Sequence, residues 1–393
     1  MSLPHKLKIP DFRNYQTCES IRKLDLIHGG LSIEWTDGRV DWHYALWLRE
    51  NSPDESTTHP LSREQKIQLN ELPDQVDIAS VSLSQNHSVD ICWKDEALVS
   101  SYDLSWLRYW GQAQILKNLD LPERILWHQI KDSELPYFSS AEISEDRTLK
   151  LKWAEDIHRL GFGIIRGVRP ETGVLEDFLS TIGPVRASNF GRIFDVRFHY
   201  DPRSNAYTNA SLPVHTDLCT REELPGIQWL HCLEQSVEGG LSILCDGFAI
   251  ANLLKQDFPE DFDALTNTSV SFINKSKTSD FRFFGPVIKL DKYLGLDEIR
   301  LSPWLRGPVS GAPNEVRRFY KALKRFIRLS NMSEYSVRVR LEPGDLLAFD
   351  NKRLLHGRTR IGSAGSRWLR GCYMDRDDLH SLIRMQGHSE FSM

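Results

Sequence analysis

Residues 215–248 read HTDLCTREELPGIQWLHCLEQSVEGGLSILCDGF. An apolar run follows Pro225-Gly226, breaks at Gly239-Gly240 and resumes before Asp246-Gly247. Two short apolar runs divided by a glycine pair read as two strands. From residue 190 onward the same alternation of short strands and loops continues. Two amphipathic helices interrupt it, FPEDFDALTNT and EVRRFYKALKRFIRLS. The second sets Val316, Phe319, Tyr320, Leu323, Phe326 and Ile327 on one face. Many short strands, few helices and long connections predict a mainly β domain with flanking helices, a distorted barrel or jelly roll. No GxGxxG follows a strand and no GxxxxGK motif is present, so nucleotide-binding folds lose support.

Upstream, residues 148–168 (TLKLKWAEDIHRLGFGIIRGV) predict a helix running into a buried strand. Residues 171–183 predict a second helix, capped by Thr172. The polar, proline-containing stretch 118–147 reads as a linker. Before it, Ile33, Trp35, Val40 and Trp42 flank a Thr36-Asp37-Gly38 turn, which predicts a hairpin. Residues 51–65 read as loop, VDIASVSLS (76–84) and HSVDICWKD (87–95) as strands, and 101–117 as a helix led by Trp106 and Trp110. The expected organisation is therefore a small β-rich N-terminal domain over 1–117, a linker over 118–147 and a jelly-roll domain over 148–393.

The 393 residues carry 49 basic and 54 acidic side chains, a net charge of −5. That balance gives no bulk attraction to nucleic acid or to an anionic membrane surface. No apolar run approaches the ~20 residues that span a bilayer, and MSLPHKLKIPDFRNYQ lacks the apolar core of a signal peptide. Six scattered cysteines without a CxxC pair read as reduced thiols of a cytoplasmic protein.

The chemistry concentrates at His215-Thr216-Asp217. In extended backbone, residues i and i+2 face the same way, so an imidazole and a carboxylate can address one metal ion. His356, in PGDLLAFDNKRLLHGRT (343–359), closes the triangle. Two histidines and one carboxylate on one face leave three coordination positions open, the arrangement of non-haem Fe(II) oxygenases. Two rival motifs lack this context. His199-Tyr200-Asp201 runs into a Pro202-Arg203-Ser204-Asn205 turn, and His388-Ser389-Glu390 has no later histidine. Arg367, beyond His356 in SRWLRGCY, suits a bidentate pair with a carboxylate of a metal-chelating co-substrate.

Taken in order, HTD, PGIQWLHC, Gly-Gly-x-Ser, DGF, PGD-x3-FDN-x-RLLHGR and R-x3-G-x-Y resemble the γ-butyrobetaine hydroxylase branch of the 2-oxoglutarate/Fe(II) dioxygenases. The resemblance extends to a WLREN segment (Trp47 to Asn51) in the N-terminal domain. It implies a double-stranded β-helix with Fe(II) on His215, Asp217 and His356. Arg367, with Ser242, would hold the distal carboxylate of 2-oxoglutarate. The implied reaction uses O2 and couples 2-oxoglutarate decarboxylation to hydroxylation of an unactivated C–H. The substrate would be a small quaternary ammonium compound, caged by Phe190, Phe194, Tyr207 and Tyr373, since such a cation is held by π faces. By analogy the resemblance also implies a homodimer.

Three positions depart from the family pattern. The N-terminal zinc ligands are replaced by Ser52, Asp54, Thr57 and Ala97, so no zinc is expected there. Pro303 stands where γ-butyrobetaine hydroxylases carry an asparagine for the substrate carboxylate. This leaves Asn205, Ser302 and one of Arg300 or Arg306 as candidates for the acid head. Leu218 and Cys219 replace an aromatic and a proline. A 2-trimethylaminoethylphosphonate hydroxylase is therefore the alternative to γ-butyrobetaine. A zinc hydrolase on the same triad and a non-catalytic betaine-binding protein are remoter ones.

Overall fold

A computed structural model of the chain describes residues 9–13, 15–84, 87–111, 121–197, 208–293, 295–362 and 364–385. They divide into two units, one within Met1–Asp120 and one within Leu121–Gln386.

In the first unit, β1 (Ile21–Ile27), β2 (Gly30–Trp35) and β3 (Val40–Tyr44) form an antiparallel meander, with the Thr36-Asp37-Gly38 turn between β2 and β3. The helix α1 (Ala45–Glu50) follows. A second meander comprises β4 (Ile78–Ser84), β5 (Ser88–Trp93) and β6 (Val99–Asp103). Period-2 alternation turns Leu31, Ile33 and Trp35 of β2 and Val89, Ile91 and Trp93 of β5 into one core. The helix α2 (Leu104–Tyr109) covers it with Trp106 and Leu107, and Asp103 caps the helix by accepting from the Ser105 and Trp106 N–H groups. It ends well short of the expected residue 117, and residues 112–120 lie outside the described ones.

At the positions that depart from the zinc pattern, the side chains bond to one another. Asp54 Oδ2 accepts from Ser100 Oγ at 2.5 Å, and Ser52 Oγ bonds both groups. Ser100 Oγ also accepts from Trp93 Nε1 at 2.8 Å. Arg49 donates to Thr57 Oγ1 at 2.6 Å and pairs with Glu96 at 2.8 Å.

The second unit begins inside the stretch expected to be linker. Tyr137–Ser139 forms β7, followed by α3 (Ser140–Glu145), α4 (Arg147–Leu160) and β8 (Phe162–Arg166). β7 is an edge strand, paired parallel with β8. Edge strands tolerate the polar, proline-flanked composition that suggested a linker. The next helix, α5 (Val174–Ser180), has Gly173 rather than Thr172 at its N-cap, with no side-chain cap. Then come β9 (Ile193–Val196), β10 (Leu212–His215), β11 (Ile227–Gln235), β12 (Ser242–Asp246), α6 (Gly247–Asp257) and α7 (Pro259–Asn267). Two hairpins follow, β13 (Val270–Lys275) with β14 (Asp280–Gly285), and β15 (Ile288–Asp291) with β16 (Gly295–Ile299). The chain continues through α8 (Pro313–Ser330), β17 (Val337–Val339), β18 (Leu346–Asp350), β19 (Leu354–Arg358), β20 (Arg367–Met374) and α9 (Arg376–Arg384).

A six-stranded sheet in order β7-β8-β18-β11-β20-β9 packs over a four-stranded sheet in order β10-β19-β12-β17. Their inner faces meet through Phe162, Leu230, Leu244, Val339, Phe349, Leu354 and Leu369. This is the double-stranded β-helix. Helices α4, α5 and α9 cover the outer face of the larger sheet, where Ile227, Trp229, Ala348, Cys372 and Met374 are buried. Helices α6, α7 and α8 cover the smaller sheet over Val214, Cys245 and Leu355. Burying each such side chain contributes about 1.5–3 kcal/mol before entropy is counted. Alternation then fixes the inward set. With Trp229, Cys372 and Met374 outward, Gln228 and Leu230 of β11 and Arg367, Leu369 and Tyr373 of β20 face inward. Among the described residues no helix is long and apolar enough to cross a membrane.

Candidate functional site

His215 ends β10 and His356 lies on β19, and the two strands pair. The register between them shifts: Leu212 is opposite Arg358, yet His215 is opposite His356. One extra residue on β10 bulges the strand and re-aims its end, sending Val214 to the helical core and both Leu212 and His215 to the interior. Gly357 makes room for this. A Cβ there would lie 2.5 Å from the Leu212 carbonyl oxygen. The bulge makes the two histidines cross-strand neighbours, with ring centroids 4.4 Å apart.

Asp217 lies beyond the strand end, in a turn with Leu218 at φ 54°. The i, i+2 argument of an extended strand thus does not position it; Asn351 does. The Asn351 side chain accepts from the Asp217 N–H at 2.9 Å and donates to the Asp217 and Pro225 carbonyls at 3.2 Å each. Gln228 Nε2 and the Tyr373 hydroxyl, both at 2.8 Å, occupy Asp217 Oδ2. Oδ1 is left facing His215 Nε2 at 3.2 Å and His356 Nε2 at 3.7 Å. His215 Nδ1 donates to the Pro213 carbonyl at 3.0 Å, which leaves the Nε2 lone pair for a ligand.

The electrostatics suit a cation. Burial raises the Asp217 carboxyl, but the His356 and His215 imidazoles outweigh it and hold the group well below the usual carboxylate range. Burial, and His215 beside it, push His356 down to about 3, so the ring stays neutral. Ligand atoms of His215, Asp217 and His356 all lie within 4.8 Å of one another, the one such grouping of metal-ligating side chains among the described residues. Two imidazoles and a carboxylate fit a divalent first-row metal.

The three line a cavity of about 720 Å³. Arg367 and Ser242 line it too. Burial depresses the Arg367 guanidinium to about 10, and no described residue accepts a hydrogen bond from it. Arg358, in register with Ser242 on the neighbouring strand, brings a second guanidinium, pushed down to about 10 by burial and by Arg367. Arg358 donates to the Thr208 and Ala210 carbonyls, whereas the buried Arg367 guanidinium calls for an anion.

Phe190, Phe194 and Tyr373 line the same cavity, with ring centroids 6.1 Å apart for Phe190–Phe194 and 5.1 Å for Phe194–Tyr373. Gly371 on β20 admits Phe194; a Cβ there would lie 2.6 Å from its ring. Tyr207 and Asn205 lie outside the described residues, as do the rival motifs at 199–201 and 388–390. Of the acid-head candidates, Ser302 lines the cavity. Arg300 does not: it is held by Glu298 and by the carbonyls of Cys219, Arg221 and Glu222.

Sequence reasoning missed Gln228, Asn351 and Trp304. Gln228 is in phase with the inward residues of β11, and Asn351 lies in the FDN motif, so both carried a signal. Trp304, 4.8 Å from the His215 ring centroid, carried none beyond its nearness to Pro303.

Residues 131–373 match the family described as "Taurine catabolism dioxygenase TauD, TfdA family". The chain belongs to that family. Residues 23–108 match the "Gamma-butyrobetaine hydroxylase-like, N-terminal" family, which identifies the branch. The chain is 36% identical to a γ-butyrobetaine dioxygenase of Pseudomonas sp. (strain AK-1), over 95% of this chain and 98% of that one. It is 29% identical to the human γ-butyrobetaine dioxygenase, over 93% and 97%. Among solved structures, PvcB of Pseudomonas aeruginosa aligns with 58% of this chain and 81% of its own at 20% identity and a TM-score of 0.45. The protein is thus a 2-oxoglutarate- and Fe(II)-dependent dioxygenase.

Proposed function

We propose that this dioxygenase hydroxylates a C–H of a small trimethylammonium compound with an acid head, γ-butyrobetaine or a close analogue. One observation carries the reading: a single cavity is lined by the two-histidine, one-carboxylate cluster, by the Arg367–Ser242–Arg358 wall and by the Phe190–Phe194–Tyr373 rings. The γ-butyrobetaine and trimethyllysine dioxygenases among the relatives support it.

His215, Asp217 and His356 would hold Fe(II), which supplies O2 activation when 2-oxoglutarate is bound. The chain's own residues do the rest. Gln228 and Tyr373 hold one oxygen of Asp217, so the other stays turned to the metal position. Arg367 grips the distal carboxylate of 2-oxoglutarate through its planar fork, with Ser242 beside it. The rings hold the trimethylammonium group through their π faces, an attraction of about 0.5–2 kcal/mol per ring. Apolar side chains such as Leu212, Leu230 and Leu369 keep water from the remaining wall.

The test is succinate formation with γ-butyrobetaine, trimethyllysine, trimethylaminoethylphosphonate and taurine, with mass spectrometry for a hydroxylated product. A quaternary ammonium compound is expected to stimulate turnover and taurine to give none. Failure of every quaternary compound would remove the reading.

A further inference from the structure

The proposed function names no hydrogen-bond donors for the acid head of the substrate, and the β13–β14 hairpin brings further neutral side chains to the cavity beside Ser302. Asn274, Ser276 and Thr278 line the cavity, whereas the intervening Lys275 and Lys277 do not. β13 ends at Lys275, and the Ser276–Ser279 turn that follows brings the exposed Thr278 to the cavity lining while Lys275 and Lys277 stay off it. Ser276 Oγ is used by the turn, accepting from the Thr278 and Ser279 N–H groups at 3.2 and 3.0 Å. The Asn274 amide and Thr278 hydroxyl make no side-chain hydrogen bond to another described residue. They are free donors on the cavity wall.

Two of the arginines near this wall are committed elsewhere, whereas Arg306, bridged to Phe272 of the hairpin, keeps a buried Nη1 without a hydrogen-bond partner among the described residues. Arg300 carries Glu298 and three carbonyls and lies 3.4 Å over the Phe283 ring. Arg221 donates to Asn189 Oδ1 at 2.8 Å and covers the Phe281 face at 3.5 Å. Arg306 does not line the cavity. Among the described residues, the arginines and lysines that do are Arg358 and Arg367, which form the co-substrate wall.

We propose that Asn274 and Thr278 read the acid head of the substrate, and that this neutral wall selects a monoanionic carboxylate over a dianionic phosphonate. The inference rests on the trimethylammonium reading above. Two neutral donors can satisfy a carboxylate. A second negative charge brought to the same wall would lose hydration, and among the described residues no lysine or arginine lines the cavity there to offset it.

The experiment compares kcat/KM for γ-butyrobetaine, trimethylaminoethylphosphonate and headless butyltrimethylammonium. The full-length protein and its Thr278→Val, Asn274→Leu and Thr278→Lys variants are used, with melting temperature as the check on folding. The expected wild-type order puts γ-butyrobetaine above the phosphonate by about tenfold or more. Thr278→Val and Asn274→Leu should each raise the γ-butyrobetaine KM by about tenfold or more, the loss of one hydrogen bond to a charged group. The headless compound should change far less. Thr278→Lys should shift preference toward the phosphonate. Equal or better wild-type use of the phosphonate, or an unchanged γ-butyrobetaine KM in both neutral variants, overturns the inference and leaves the trimethylammonium reading standing. If no quaternary compound, headless included, stimulates turnover, the reading itself falls and the inference with it.

Discussion

Tyr373 serves two neighbours at once. Its ring lies 5.1 Å from Phe194, and its hydroxyl donates to Asp217 Oδ2 at 2.8 Å. The two roles separate by substitution. Tyr373→Phe keeps the π face and loses the orienting bond, so the KM for the quaternary ammonium substrate should stay within about twofold. Apparent Fe(II) affinity should fall about tenfold, the usual scale for the partner of a metal ligand. Tyr373→Leu should also raise the substrate KM by about tenfold, from lost cation–π attraction. Activity titrated against Fe(II), then against substrate, distinguishes the two. Arg367→Lys keeps the charge but not the planar fork. It should raise the KM for 2-oxoglutarate by at least about tenfold, while leaving the substrate KM nearly unchanged.

At the scale of elements, three irregular backbone features build the site: the β10 bulge, the turn after His215 and the open face of β20. Asn351 ties the second to the sheet with bonds to Asp217 and Pro225. Asn351→Ala leaves an N–H and two carbonyls without that partner, at about 1–3 kcal/mol each when buried. A lower melting temperature and weaker Fe(II) binding should appear together. Gly371→Ala tests β20, because the added methyl displaces Phe194. The substrate KM should rise while the fold and 2-oxoglutarate affinity hold. Both effects were only half legible in the sequence. FDN and R-x3-G-x-Y stood out as motifs, but motif spacing does not say which neighbour across the sheet each residue serves. The expected linker failed for a related reason: β7 gains its partner from β8, not from its own apolar pattern.

The second unit as a whole is keyed by a fully buried ion pair. Arg353 bonds Asp246 at 2.7 Å and also the carbonyls of Ile125 and Arg159, which joins α4, β12 and β19. Asp246→Ala strands a buried guanidinium at about 3–5 kcal/mol. Thermal unfolding should show a fall of about 10 °C. Acid acts at the same scale. Burial holds His158 down at about 4, and burial with His158 beside it holds His380 at about 3; their rings meet at 3.2 Å. Each is depressed from the ordinary 6.5, so only the unfolded chain takes up protons between those limits. Stability should be complete above about pH 6.5 and decline as pH falls toward 4, and His380→Phe should flatten that decline in melting temperature. In the N-terminal unit, Asp54, Ser52, Ser100 and Trp93 bond one another directly. Zinc chelation should leave its circular dichroism and melting unchanged.

The sequence by itself determined the strand-rich class and the hairpin at Thr36-Asp37-Gly38, and it singled out His215, Asp217, His356 and Arg367 as candidate site residues. These depend on local periodicity and on residue types that few other roles require. Tertiary structure alone decided how the trio meets. A bulge opposite Gly357 pairs His215 with His356, and Asn351, Gln228 and Tyr373 turn one oxygen of Asp217 toward both. It also decided that Arg300 is committed to Glu298 and backbone carbonyls, while Asn274 and Thr278 face the cavity. The physical reason is the same in each case. A side chain's chemistry is written in its own residue, but its orientation and free valences are set by partners distant in the chain.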